Sequence, residues 1–270
     1  MVALDLDGTL LNPQGRLSGE TSKTMFEAIN RGIHIVVATG RGLGALPLDI
    51  TACPHLKYAI TSNGAHIVTL DDRKTIYSSL IPFGAVEPLK DILTNPELMV
   101  EVFFDHTMFA EKRCLERLED FGVKEERARQ YILGTRRPTK DIWELVKCKQ
   151  DRLENINLIF PGQDLRMQVW EALKKMENIT VTSSMPYNVE IGGRETSKGT
   201  ALLWLAQTLE IQREEIMACG DSENDISMLQ AAGLGVAMGN AVEAVKTCAD
   251  FITGTNAKDG VAYAIRKFCL

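Results

Sequence analysis

No stretch of this 270-residue chain stays apolar for long enough to span a bilayer. Positive charge is also in short supply. Thirty Lys and Arg against 36 Asp and Glu leave a net charge of −6. That balance provides no basic footprint for nucleic acid or anionic lipid. An anionic ligand must therefore be met locally, by a metal ion or a few placed Lys and Arg. The six cysteines (Cys53, Cys114, Cys148, Cys219, Cys248 and Cys269) lack any CxxC spacing, so they read as reduced, mostly buried small hydrophobes. No two of the four histidines sit at helical ligand spacing, which argues against zinc. Internal repeats and low-complexity tracts are missing too. An acid already at Asp5 leaves no room for a secretory apolar region, so the expected location is cytoplasmic. The expected partner is a small molecule, with neither nucleic acid nor membrane.

What the chain does have is short apolar runs that end abruptly in polar residues. The first, MVAL, runs straight into Asp5-Leu6-Asp7-Gly8-Thr9. Ser18 is placed to cap a helix over about 19–31, with Gly32 stopping it. IHIVVATG then reads as a strand covered on both faces in a parallel sheet, ending in Thr39-Gly40-Arg41. A short helix strained by Pro47 is expected next, followed by two strands around Ser62-Asn63-Gly64 and a third at TIYSSL.

From Ile81 the texture changes. IPFGAVEPLKDILTNP reads as a helix bounded by prolines, and LMVEVFFD with TMFAE as an antiparallel pair. The charged run EKRCLERLEDFGVKEERARQ reads as an exposed helix face and linker. DIWELVK, INLIF, LRMQVWEALKKM and ITVTSS then alternate helix and strand. This second α+β unit holds most of the aromatics but no dense polar constellation. After it the first texture returns, with a helix opening at Lys198 and the strand IMACG ending in Asp221. The expected architecture is α/β: a doubly wound, Rossmann-like parallel sheet formed by residues 1–80 and 188–270, interrupted by an α+β cap over 81–187.

In an open parallel sheet the ligand lies beyond the carboxyl ends of the strands, near the switch in strand order. Asp5, Asp7, Asp221 and Asp225 are all placed there. Gathered together they would repel unless a cation neutralises them, and a hard, oxygen-loving cation that keeps several waters is Mg²⁺. Thr39, the Gly40 amide, Arg41 and Lys198 supply donors suited to a phosphoryl group. A carboxylate can attack phosphorus to form an aspartyl-phosphate. A second carboxyl two residues along can protonate the leaving oxygen and later deprotonate water.

DLDGTL at 5–10, Thr39-Gly40-Arg41, Lys198 and GDSEND at 220–225 resemble the four ordered motifs of the haloacid dehalogenase superfamily. SNGA at 62–65, EIGGRETSKGTAL at 190–202 and the closing KDGVAYAI look like its Cof-type branch, whose cap lies between the second and third motifs. The resemblance covers the whole chain, though only four residues precede Asp5. It implies Asp5 as nucleophile and Asp7 as general acid/base. It further implies Mg²⁺ held by the Asp5 and Asp221 side chains and the Asp7 carbonyl, and phosphate held by Thr39 and Lys198. Asn224 would contact the phosphate or the metal waters, and Asp225 would orient Lys198 or the metal shell. Arg41 could equally pair with a neighbouring acid, and Asn63 could simply form the Asn-Gly turn it looks built for.

The implied activity is Mg²⁺-dependent hydrolysis of phosphomonoesters of small metabolites, sugar phosphates or similar, with the cap closing over the substrate. A phosphomutase on the same scaffold is the alternative among enzymes. A long-lived aspartyl-phosphate switch or binding module is the alternative outside them, and a dehalogenase reaction fits the second aspartate poorly.

Overall fold

A computed structural model describes residues 1–53 and 55–270, which divide into two units. In chain order the strands are β1 (Val2–Leu4), β2 (Ile35–Ala38), β3 (Tyr58–Thr61), β4 (His66–Thr69), β5 (Thr75–Ser78), β6 (Met99–Phe104), β7 (Thr107–Glu111), β8 (Arg136–Thr139), β9 (Leu153–Ile159), β10 (Ile179–Thr182), β11 (Asn188–Gly193), β12 (Met217–Gly220), β13 (Leu234–Ala237) and β14 (Phe251–Ile252). Among the described residues no helix is long and apolar enough to cross a membrane.

The first unit comprises Met1–Gly40, Leu46–Ser78 and Ser197–Leu270. Its sheet runs β14-β13-β12-β1-β2-β3-β4-β5, parallel from β14 to β3 and closed by the antiparallel β3–β4–β5 meander. β1, β2 and β12 are buried along their whole length, as strands covered on both faces must be. Strand order reverses at β1, which has β2 on one side and β12 on the other. Their carboxyl ends carry Asp5 and Asp221. The helix Gly19–Asn30 forms as expected, its Ser18 cap accepting from the Thr21 amide at 3.0 Å. Pro47 does not strain a helix. It occupies the N-cap of Leu48–Thr51, where its missing N–H is no loss.

The second unit comprises Arg41–Ala45 and Ser79–Thr196. Its sheet runs β10-β11-β9-β6-β7-β8, antiparallel except for the β7–β8 pair. The boundary expected between 187 and 188 falls instead after Thr196, because Asn188–Gly193 pairs with β9 and β10. The single helix expected after Ile81 is broken into Phe83–Val86, Glu87–Leu89 and Lys90–Leu93. Pro88 sits in the middle piece and cannot donate to a continuous ladder. The charged run at 111–130 is more than an exposed face. Cys114, Leu118, Phe121 and Val123 are buried in a cluster with Met99 and Ile132. β8 was not expected from RRPT; as an edge strand it tolerates Pro138.

This second sheet also holds a polar network that the sequence reading missed. Buried Glu101 accepts from Arg136 Nε and Nη2, both at 2.8 Å, and from Asn157 Nδ2 at 2.9 Å. Asn188 Nδ2 in turn donates to Asn157 Oδ1 at 3.0 Å. The signal was visible in LMVEVFFD, where one Glu interrupts an apolar strand. Burying that carboxylate requires a partner. The cysteines are less buried than expected: Cys114 and Cys219 are buried, Cys53, Cys248 and Cys269 half-buried, and Cys148 exposed.

Candidate active site

Asp5 is the first residue past β1, and its amide donates to Cys219 O on β12 at 3.1 Å. The chain then folds back tightly, with Leu10 N–H donating to Asp5 O at 3.1 Å and Leu11 N–H to Leu6 O at 2.9 Å. This turn needs Gly8 at a φ of 87°. A Cβ there would collide with the Asp221 carboxylate. Thr9 Oγ1 donates to Asp221 Oδ1 at 2.8 Å, tying the turn to the end of β12.

Lys198 is the first residue of the helix Lys198–Thr208, whose Ser197 cap accepts from the Thr200 amide at 3.0 Å. The Lys198 side chain is wholly buried, and its Nζ lies 2.7 Å from Asp5 Oδ1 and 2.7 Å from Asp225 Oδ1. Asp225 Oδ2 accepts from the amides of Asp221 at 2.9 Å and Ser222 at 3.0 Å. Asp225 thus positions both the lysine and the loop carrying Asp221.

Asp5, Asp221 and Asp225 offer carboxylate oxygens that all lie within 4.8 Å of one another. One ammonium serves the three. The electrostatics register the imbalance. Burial pushes the Asp5 carboxyl well above the usual range, and nearby Asp225 adds to it against the pull of Lys198. Burial likewise raises Asp221 to about 7, again reinforced by Asp225. On Lys198, burial disfavours the charge, but Asp225 and Asp5 more than offset it and hold the amine above its ordinary value. The donor set, hard oxygens with an excess of negative charge, fits a divalent cation such as Mg²⁺.

Asp7 is exposed at the turn. Thr39, just past β2, is buried and has its amide on Ile60 O at 2.9 Å; Gly40 follows it, half-buried. Asn224 is buried beside Asp225, and its Nδ2 donates to Asn63 Oδ1 at 3.0 Å. Arg41 falls in the second unit. Its Nη1 donates to Ala45 O at 3.0 Å and its guanidinium lies 4.5 Å from the Tyr131 ring centroid, within the second unit. Arg136 flanks the same Tyr131 ring at 4.6 Å.

The family model of haloacid dehalogenase-like hydrolases matches residues 2–265. The chain is 31% identical over 282 residues to the 5-amino-6-(5-phospho-D-ribitylamino)uracil phosphatase YcsE of Bacillus subtilis (strain 168), covering 100% of this chain and 96% of that protein. It is 27% identical to the pyridoxal phosphate phosphatase YbhA of Escherichia coli (strain K12), covering 98% and 97%. Its fold matches that of a haloacid dehalogenase-like hydrolase from B. subtilis with a TM-score of 0.87 and 31% identity, over 100% and 99% of the two chains. The chain belongs to the haloacid dehalogenase-like hydrolases, as a Cof-type phosphoric monoester hydrolase.

Proposed function

We propose that the chain hydrolyses phosphomonoesters of small metabolites through an aspartyl-phosphate on Asp5, with Mg²⁺ as cofactor. One observation carries this reading: the buried Lys198 ammonium shared by Asp5 and Asp225, with Asp221 alongside. The Asp5 and Asp221 side chains and the Asp7 carbonyl would hold Mg²⁺, which when bound offsets the carboxylate charge and that of the phosphoryl oxygens.

Asp5 attacks phosphorus, forming the acyl-phosphate bond as the ester P–O bond breaks. Asp7, exposed at the turn, gives its proton to the departing alkoxide. It then takes a proton from water, which attacks the phosphorus of the acyl-phosphate. The P–O bond to Asp5 breaks, regenerating the carboxylate and releasing inorganic phosphate. Thr39, Gly40, Lys198 and Asn224 hold the phosphoryl oxygens through these steps, and Asp225 keeps Lys198 in place.

The named substrates of the two relatives, a ribityl 5-phosphate and pyridoxal phosphate, are both phosphate esters of primary alcohols. Esters of that class are the expected substrates here, met in the cytoplasm. The test is phosphate release from a panel of such esters with Mg²⁺ and with chelator. Release that needs Mg²⁺ and vanishes in Asp5→Asn is expected. No release from any ester, or full turnover by Asp5→Asn, would overturn the reading.

A further inference from the structure

The turn between β3 and β4 is built more tightly than a hairpin connection requires. Ser62, Asn63 and Gly64 take φ values of 51°, 56° and 98° in succession. Asn and Gly tolerate that left-handed region, but Ser does so only under constraint. Ser62 and Asn63 are also buried, whereas hairpin tips ordinarily lie at the surface. Strained, buried backbone persists only where its surroundings over-determine it, and it gathers at functional sites.

Those surroundings are the other segments of the site. Asn63 N–H donates to Thr39 O at 3.1 Å, while Thr39 N–H donates to Ile60 O at 2.9 Å. Thr39 is thereby held between the end of β3 and the turn. Asn63 Oδ1 accepts from Asn224 Nδ2 at 3.0 Å, across 161 residues of sequence. Gly64 abuts the chain entering the Lys198 helix, so closely that a Cβ would collide with the Ser197 carbonyl and approach the Lys198 amide nitrogen to 3.0 Å. Three segments that supply phosphate donors, around Thr39, Lys198 and Asn224, thus abut one three-residue turn.

We infer that Asn63 is a positioning residue: its side-chain amide orients Asn224, and its turn fixes Thr39 and Lys198 at a common spacing. The inference rests on the phosphatase reading in one respect, that Thr39, Lys198 and Asn224 bind the phosphoryl group. It adds a residue that touches no substrate yet sets how tightly the phosphate is held.

Asn63→Gly separates the two roles, because glycine keeps the left-handed backbone and the Thr39 hydrogen bond while removing the amide. The readouts are melting temperature, kcat and KM for p-nitrophenyl phosphate with Mg²⁺, and the inhibition constant of inorganic phosphate. The expected result is a melting temperature close to that of the parent protein, with phosphate inhibition weakened about tenfold and kcat/KM lowered by about the same factor. In a cycle with Asn224→Ala, removing the Asn63 amide should add nothing further. Unchanged phosphate inhibition in Asn63→Gly would overturn the inference. So would additivity with Asn224→Ala, or a loss of activity that merely follows a collapse in melting temperature, since the turn would then only close the hairpin. A parent protein that releases no phosphate fails the underlying reading instead, and is recognised before any variant is made.

Discussion

Lys198 Nζ lies 2.7 Å from Asp5 and 2.7 Å from Asp225 with no exposure to solvent, so one buried ammonium joins the end of β1 to the loop after β12. Lys198→Met leaves two buried carboxylates without their counter-charge. Breaking such a bridge costs about 3–5 kcal/mol, a fall in melting temperature on the order of 10 °C. Phosphate release should drop by at least about 10²-fold. Lys198→Arg should rescue neither property, because the planar guanidinium cannot take the place of a compact ammonium in a closed site. Thermal melts and a phosphate assay on both variants check this.

Stability should depend on pH in a direction set by Asp221 and Asp5. Both carboxyls are raised in the folded protein, Asp221 to about 7. The folded state therefore binds these protons more tightly than the unfolded chain. Their contribution to stability is fully present below the ordinary carboxylate range of about 4 and is lost as pH rises through about 7. Without divalent cations the protein should melt higher at pH 5 than at pH 8. Mg²⁺ bound by the proposed ligands would compete with those protons, so its stabilisation should be larger at pH 8. An equal shift at both pH values would contradict this account.

Asp5→Asn should trade activity for stability. The amide keeps the shape of the side chain but removes a charge that burial and Asp225 both oppose, and Lys198 retains Asp225. In chelator at pH 8 the variant should melt no lower than the parent, and on the order of a few °C higher. Turnover should fall at least about 10³-fold because an amide is a poor nucleophile. Calorimetry in chelator and a phosphate assay in Mg²⁺ read the two effects.

Asp7→Ala should discriminate between leaving groups. A nitrophenolate departs without a proton, whereas an alkoxide does not. Hydrolysis of a primary alkyl phosphate should fall about 10²–10⁴-fold and that of p-nitrophenyl phosphate much less. Because Asp7 is exposed, the melting temperature should change little. Equal losses on both substrates would remove Asp7 from the role of acid.

The acids after β1 and β12 were legible because polar residues that follow short apolar runs stand out, and parallel topology sends all such ends to one edge of the sheet. Ser18 as a cap and the two strands around Ser62-Asn63-Gly64 were legible for local reasons of the same kind. What escaped depends on partners distant in sequence. Nothing near Arg41 announces Tyr131, and nothing near Asn63 announces Asn224. β11 reads as a return to the first unit until its pairing with β9 is seen, since strand pairing is not a local property. β8, with two arginines and a proline, carries strand propensity too weak to detect and forms because β7 offers it an edge.

The uneven burial of the cysteines makes the molecule ready for site-selective labelling. Cys219, one strand over from Asp5, is enclosed, and burial raises its thiol far above the ordinary value, so it has almost no thiolate with which to react. Cys148 closes the helix Ile142–Cys148 in the second unit and is the one exposed cysteine among the described residues. A maleimide dye applied briefly to the unaltered protein should attach there first, giving a fluorescent reporter on the second unit without a single engineered substitution.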